Sequence, residues 1–202
     1  MHSVPVGSLE TLLETLDHHR PAVAAHSRRV AVFARHLGLF MGLPADEMAT
    51  LVQAALVHEA GALIGRTDTA TDLPGLQIWC GLSDDVDDVL WYTTRRFDHH
   101  RHAPVGARLL AVAHAFDELT TAREYQVPLS AESARMAIAR QAGRRFCPMA
   151  VNVLTAARLE RFDGEASVGD VLAQPEGRAQ VDAERLAAAR PLEIDYRFVT
   201  TS

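Results

Sequence analysis

Ala107-Arg108-Leu109-Leu110-Ala111-Val112-Ala113-His114-Ala115-Phe116-Asp117-Glu118-Leu119-Thr120 is the stretch that decides the fold. Between Leu109 and Phe116 its only polar side chain is His114. A helix over Val105–Arg123 is therefore apolar nearly all round. Such a helix must be buried on most sides, and His114 is expected to be buried with it.

The flanking sequence supplies more helices and no convincing alternating strand. Ser8 caps a helix over Leu9–His19, and Pro21 opens a second that runs to about Met41 before Gly42. Pro44, Asp46 and Glu47 open a third, to about Gly61. Arg66–Pro74 reads as a loop. Ser83-Asp84-Asp85 starts another helix, to about Arg96. The acids Asp84, Asp85, Asp87 and Asp88 suit a helix N-terminus better than a metal. Helices near Ala131–Ala142, closed by Gly143, and Pro148–Phe162 complete an all-α domain over residues 1–164. Past Gly164 the pattern weakens. Arg178–Arg190 reads as helical and Pro191–Ser202 as extended, so residues 165–202 form a short C-terminal extension.

Composition narrows the function. The 202 residues are 48% apolar and 23% charged, which is globular. A net charge of −6 argues against general nucleic-acid binding. No apolar run reaches membrane-spanning length, and the N-terminus carries no secretion signal. Cys80 and Cys147 are far apart and form no CxxC pair, which fits a reduced, cytoplasmic setting.

Three helices place ligand-capable residues on apolar faces. His26 lies on the stripe of Val23, Val30, Phe33, Leu37 and Phe40. His58 and Glu59 continue the face of Met48, Leu51, Val52 and Ala55. A carboxylate turned inward must be paired, protonated or metal-bound. Each histidine alone reads as a hydrogen-bonded core residue. With His114 the set suits one divalent ion, such as zinc, iron or manganese.

At these residues the chain resembles the HD superfamily of metal-dependent phosphohydrolases, most closely its HD-GYP branch. The likeness spans about Leu9 to Leu159. His26-Ser27-Arg28-Arg29-Val30 resembles the helix of the first ligand histidine, and His58-Glu59-Ala60-Gly61-Ala62 stands in place of His-Asp-x-Gly-Lys. Ala107–Thr120, followed by Arg123-Glu124-Tyr125, is similar to Ala-Arg-Ile-Leu-Ala-Val-Ala-Asp-x-Phe-Asp-Ala-Leu-Thr and Arg-Pro-Tyr. The resemblance implies an HD-type helical bundle with a metal centre in its middle. It also implies hydrolysis of cyclic dinucleotides, chiefly cyclic di-GMP.

The departures redirect that expectation. Glu59 and His114 stand where the family has aspartates, and Ala62 replaces the phosphate-binding lysine. Thr93-Thr94 replaces paired histidines, Asp72–Leu82 holds no histidine, and Asp98-His99-His100-Arg101-His102-Ala103 replaces the Asp-Gly-x-Gly-Tyr-Pro loop. The multi-metal site is thus lost, while four ligand-capable positions of a mononuclear site remain: His26, His58, Glu59 and His114. Asp117, one turn after His114, either orients that shell or serves as a solvent-facing acid or cap. Arg29, Arg95, Arg96 and Arg101 are candidates for binding phosphate, and His99 and His102 for extra ligands. Two functions compete. One is hydrolysis of a phosphoester or nucleotide, though not by the standard cyclic di-GMP route. The other is a catalytically inactive regulator that binds a nucleotide or a protein, or pairs as a homodimer.

Overall fold

The computed structural model describes residues 9–60, 82–122 and 127–157. The expectations for Ser8, Gly61, Ala62, the Arg66–Pro74 loop, Cys80, Arg123-Glu124-Tyr125 and everything beyond residue 157 lie outside them. Seven helices make up the described part: α1 (Leu9–His19), α2 (Pro21–Met41), α3 (Ala45–Val57), α4 (Asp84–Thr93), α5 (Val105–Thr120), α6 (Ala131–Ala139) and α7 (Pro148–Ala156). The fold is an all-α bundle, with no strand among the described residues.

The apolar run quoted first is the hub. α5 packs against α2, α3, α4, α6 and α7. Leu109, Leu110, Val112, Ala113 and Phe116 are sealed from solvent, and the Phe116 ring meets Phe33 of α2 edge to face at 5.3 Å. Burial of so many apolar groups around one helix is the main force holding the site elements in register. α2 makes its most extensive contact with α3, and Val30, Phe33, Leu37 and Phe40 are among its buried residues.

Gly42 ends α2 in the left-handed region (φ 75°), where its N–H bonds the Leu39 carbonyl at 3.1 Å. Gly38 serves a different purpose. A Cβ there would lie 2.7 Å from the Met48 methyl and 3.2 Å from Leu51 Cδ2, so α2 and α3 approach closely at this point. Met48 is flexible, but Leu51 is fully buried. Gly38→Val should therefore destabilise the fold by about 1–3 kcal/mol through overpacking. Chemical denaturation checks this, and an unchanged midpoint would count against the close α2–α3 approach.

Several helices stop earlier than expected. α3 ends at Val57, with His58 and Glu59 in the turn that follows. α4 ends at Thr93, not Arg96, because residues 94–103 fold into turns tied to a second turn by Phe97 N–H to the Arg145 carbonyl and Asp98 N–H to the Arg144 carbonyl. α6 closes at Ala139, and Gly143 (φ 79°) belongs to the turn after it. No helix among the described residues is long and apolar enough to cross a membrane.

Candidate metal centre

Three elements bring four side chains together. His26 comes from the first half of α2, His58 and Glu59 from the turn after α3, and His114 from the middle of α5. Each offers a ligand atom, and these atoms all lie within 4.8 Å of one another. The imidazole centroids form a near-equilateral triangle of 5.2, 5.2 and 5.0 Å. This cluster could hold a metal ion.

Hydrogen bonds fix which nitrogen of two rings faces the centre. Nδ1 of His58 lies 2.7 Å from the Ala55 carbonyl oxygen. A carbonyl only accepts, so Nδ1–H donates. Nδ1 of His26 lies 2.6 Å from Asp117 Oδ2, and an ionised carboxylate likewise only accepts. In the neutral rings, each Nε2 then carries a lone pair. Those two Nε2 atoms face each other at 3.3 Å. A proton or a metal ion between them removes the repulsion of two such lone pairs. Tetrahedral ligands at about 2.0–2.1 Å from an ion are separated from one another by roughly 3.3–3.4 Å, which the His26–His58 pair already matches. Glu59 Oε1 is 4.0 Å from His58 Nε2 and 3.9 Å from His114 Nε2, so a small side-chain rotation brings it to the same spacing.

The electrostatics favour ligand forms. Burial, then the neighbouring His114 and His26, push His58 well below the usual histidine range, so its lone pair is available at neutral pH. For Asp117, burial alone would raise the carboxyl. Hydrogen bonds from His26 and Arg29 outweigh it and hold the group at about 2.

Asp117 is thus a buried anion, 1% exposed, and not a solvent-facing acid. Arg29 forks onto it, Nε to Oδ1 at 2.7 Å and Nη2 to Oδ2 at 3.1 Å. Arg29, a candidate for binding phosphate, thus directs its Nε and Nη2 at Asp117. A chain of contacts runs Arg29–Asp117–His26, orienting one ring of the cluster from behind. His114 departs from expectation in another way: it is 25% exposed, as Glu59 is 27% exposed. The two form the open side of the cluster.

The cationic loop folds on itself. Arg96 forks onto Asp98, and the Arg96 hydrogen bonds hold the Asp98 carboxyl at about 2. Arg95 stacks over Trp91 at 3.9 Å. Arg101 lies over Phe97 at 5.8 Å. The buried Arg108 donates to the His100 carbonyl. His99 and His102 do not join the metal cluster: His99 approaches Asp98 at 3.8 Å, and His102 Nε2 meets the Tyr92 hydroxyl at 2.8 Å. Nor do the acids at the start of α4 join it.

Sequence reading missed Glu118. Its Oε1 lies 3.9 Å from His114 Nε2. The signal was present, since residues four apart share a helix face.

No protein-family model matches the chain. Its sequence is 27% identical over 168 aligned residues to a 3'3'-cGAMP-specific phosphodiesterase 2 of Vibrio cholerae. The match covers 69% of this chain and 31% of that protein, so the chain spans less than a third of its relative. This distant similarity to a cyclic-dinucleotide phosphodiesterase agrees with the HD-type resemblance of the sequence.

Proposed function

We propose that the chain is a mononuclear, metal-dependent phosphohydrolase domain acting on a nucleotide phosphoester, with His26, His58, Glu59 and His114 holding one divalent ion. The observation that carries this reading is the convergence of three imidazoles and the Glu59 carboxylate on one centre, their ligand atoms within 4.8 Å of one another, with Nδ1 of His26 and of His58 each engaged on the far side of its ring. When bound, a divalent ion supplies Lewis-acid polarisation of a phosphoryl oxygen and activates water at neutral pH.

The chain's own residues do the rest. Asp117 holds the His26 tautomer and offsets positive charge in the cluster, and Arg29 holds Asp117. The Ala55 carbonyl does the same for His58. Glu59 and His114 face the open side, where substrate enters. The loop bearing Arg95, Arg96 and Arg101 adds a local positive field to a net-negative chain, drawing in phosphate. The relative's cyclic dinucleotide substrate supports a nucleotide as ligand. The absence of the family's lysine and paired histidines, with Ala62 and Thr93-Thr94 in their places, argues against the standard cyclic di-GMP route.

The test is hydrolysis of a panel of cyclic and linear dinucleotides and nucleoside phosphates by protein loaded in turn with manganese, iron or zinc. We expect turnover that chelation abolishes and metal restores. Loaded protein that binds nucleotide and turns over none of the panel would leave the regulatory reading standing and end the catalytic one.

A further inference from the structure

We propose that the outer face of α4 is a surface on which two copies of this chain pair, antiparallel about a two-fold axis near Trp91. α4 packs against α3 and α5, and Val86, Val89 and Leu90 are its buried residues. Asp84, Asp85, Asp88 and Trp91 are exposed, and Arg95 follows just beyond the cap residue Thr94. Residues three and four apart share a helix face, so Asp84, Asp88, Trp91 and Arg95 fall on one stripe.

The stripe is polarised. Its N-terminal half borders an acidic groove of about 420 Å³, which Asp85 and Asp88 line together with Asp46 and Glu47 from the start of α3. Among the described residues no cation lines that groove. Burial, then the charges of Asp84 and Asp88, raise the Asp87 carboxyl, and Asp87 Oδ1 is buried without a hydrogen-bond partner among the described residues. The acids of this end repel one another in the single chain.

The other half is positive. Arg95 stacks over the Trp91 ring at 3.9 Å, and its Nε is also buried without a hydrogen-bond partner among the described residues. A guanidinium stacked by its flat face still has in-plane donors for a carboxylate. Arg96 and Arg101, both exposed, belong to the turn that follows.

This order of charges selects the occupant. A two-fold axis lays one α4 against the other in the opposite direction, so the acid half of each copy meets the cationic end of its mate. Asp88 lies three residues before Trp91 and Arg95 four after it, so Asp88 of one copy falls beside Arg95 of the second. Asp85 then falls near the turn of Arg96 and Arg101. Each contact occurs twice, as an isologous pair requires. A wholly acidic partner would suit only Arg95 and its turn, and a wholly basic one only the groove. Trp91, 40% exposed, occupies the centre, where tryptophan and arginine carry most of the energy of a contact. One helix of 10 residues and a turn bury little, so the contact belongs to the weak class below about 1,200 Å². Association in the micromolar range is expected. The inference rests neither on the metal nor on the nucleotide reading.

Sedimentation equilibrium of the full chain, over a micromolar concentration series, tests it. We expect a monomer–dimer equilibrium that weakens about tenfold in 1 M salt, where charges are screened beyond roughly 3 Å. Trp91→Ala should weaken it about tenfold or more. An Asp85→Arg, Asp88→Arg variant carries cations on both halves, and an Arg95→Glu, Arg101→Glu variant carries acids on both. Each alone should be monomeric, with helical circular dichroism intact, and a mixture of the two should form heterodimers. That rescue also shows that neither variant failed by misfolding. Wild-type protein that stays monomeric throughout, a dimer indifferent to salt or to either charge reversal, or a mixture no more associated than its parts would overturn the assignment.

Discussion

Protein purified without added metal should carry close to one equivalent of a divalent ion, and the His58→Ala, His114→Ala double variant should carry almost none. Two of four ligands are lost in that variant, and with them the whole contribution of α5 to the cluster. The remaining His26 and Glu59 could bind an ion only weakly. His58 is the more telling position, because the Ala55 carbonyl fixes its Nε2 toward His26 at 3.3 Å. His114 lies a quarter exposed, so its truncation should affect metal more than folding. Elemental analysis reads the result directly, with thermal melts showing that the variant is folded. Protein that takes up no metal after reconstitution with manganese, iron and zinc would end the metal reading, whatever its activity.

The parts of this centre that were legible in the sequence share one property. Each sits inside a periodic apolar pattern that a polar residue interrupts. His26 on the α2 stripe and His114 in the α5 run are anomalies that any helical wheel exposes, because burying an imidazole among leucines and alanines requires a partner. Gly42 was legible for a similar local reason: a positive φ at the end of a helix favours glycine. The Asp117–His26 contact was not, since it joins residues 91 positions apart whose pairing depends on how α2 crosses α5.

The loop shows the opposite limit. Counting its arginines and histidines found a positive patch but not the partners of each cation. Asp98, Trp91 and Phe97 take up Arg96, Arg95 and Arg101 locally, and Tyr92 takes His102. Charge is additive along a sequence, whereas hydrogen-bond and stacking capacity is settled only in three dimensions. Glu118 was passed over for a related reason. A carboxylate on a helix reads as solvent-facing until its neighbours are known, and this one lines a pocket made with α6 and a turn far along the chain.

Asp117→Asn should have the second large effect, on stability and on metal together. The wild-type carboxylate is buried, donated to by His26 and forked by Arg29. Its folded value of about 2 lies below that of an unfolded aspartate. The group therefore stabilises the fold above the unfolded value, by about 2–3 kcal/mol, and that contribution is lost as pH falls through about 2. Asparagine keeps the shape but not the charge, leaving the partly buried Arg29 beside a neutral amide. The metal-free variant should unfold more easily at pH 7 by about 3 kcal/mol. The gap between wild type and variant should shrink to roughly half by pH 3, because only the wild type has a carboxylate to protonate. Urea denaturation at the two pH values measures both. Metal affinity should fall about 10–100-fold, since the amide can bond His26 Nδ1–H only as a neutral acceptor and no longer fixes the tautomer by charge. A gap that stays constant from pH 7 to pH 3 would mean that the Asp117 carboxylate does not hold the fold by its charge. Unchanged metal affinity would show that His26 keeps its orientation without it.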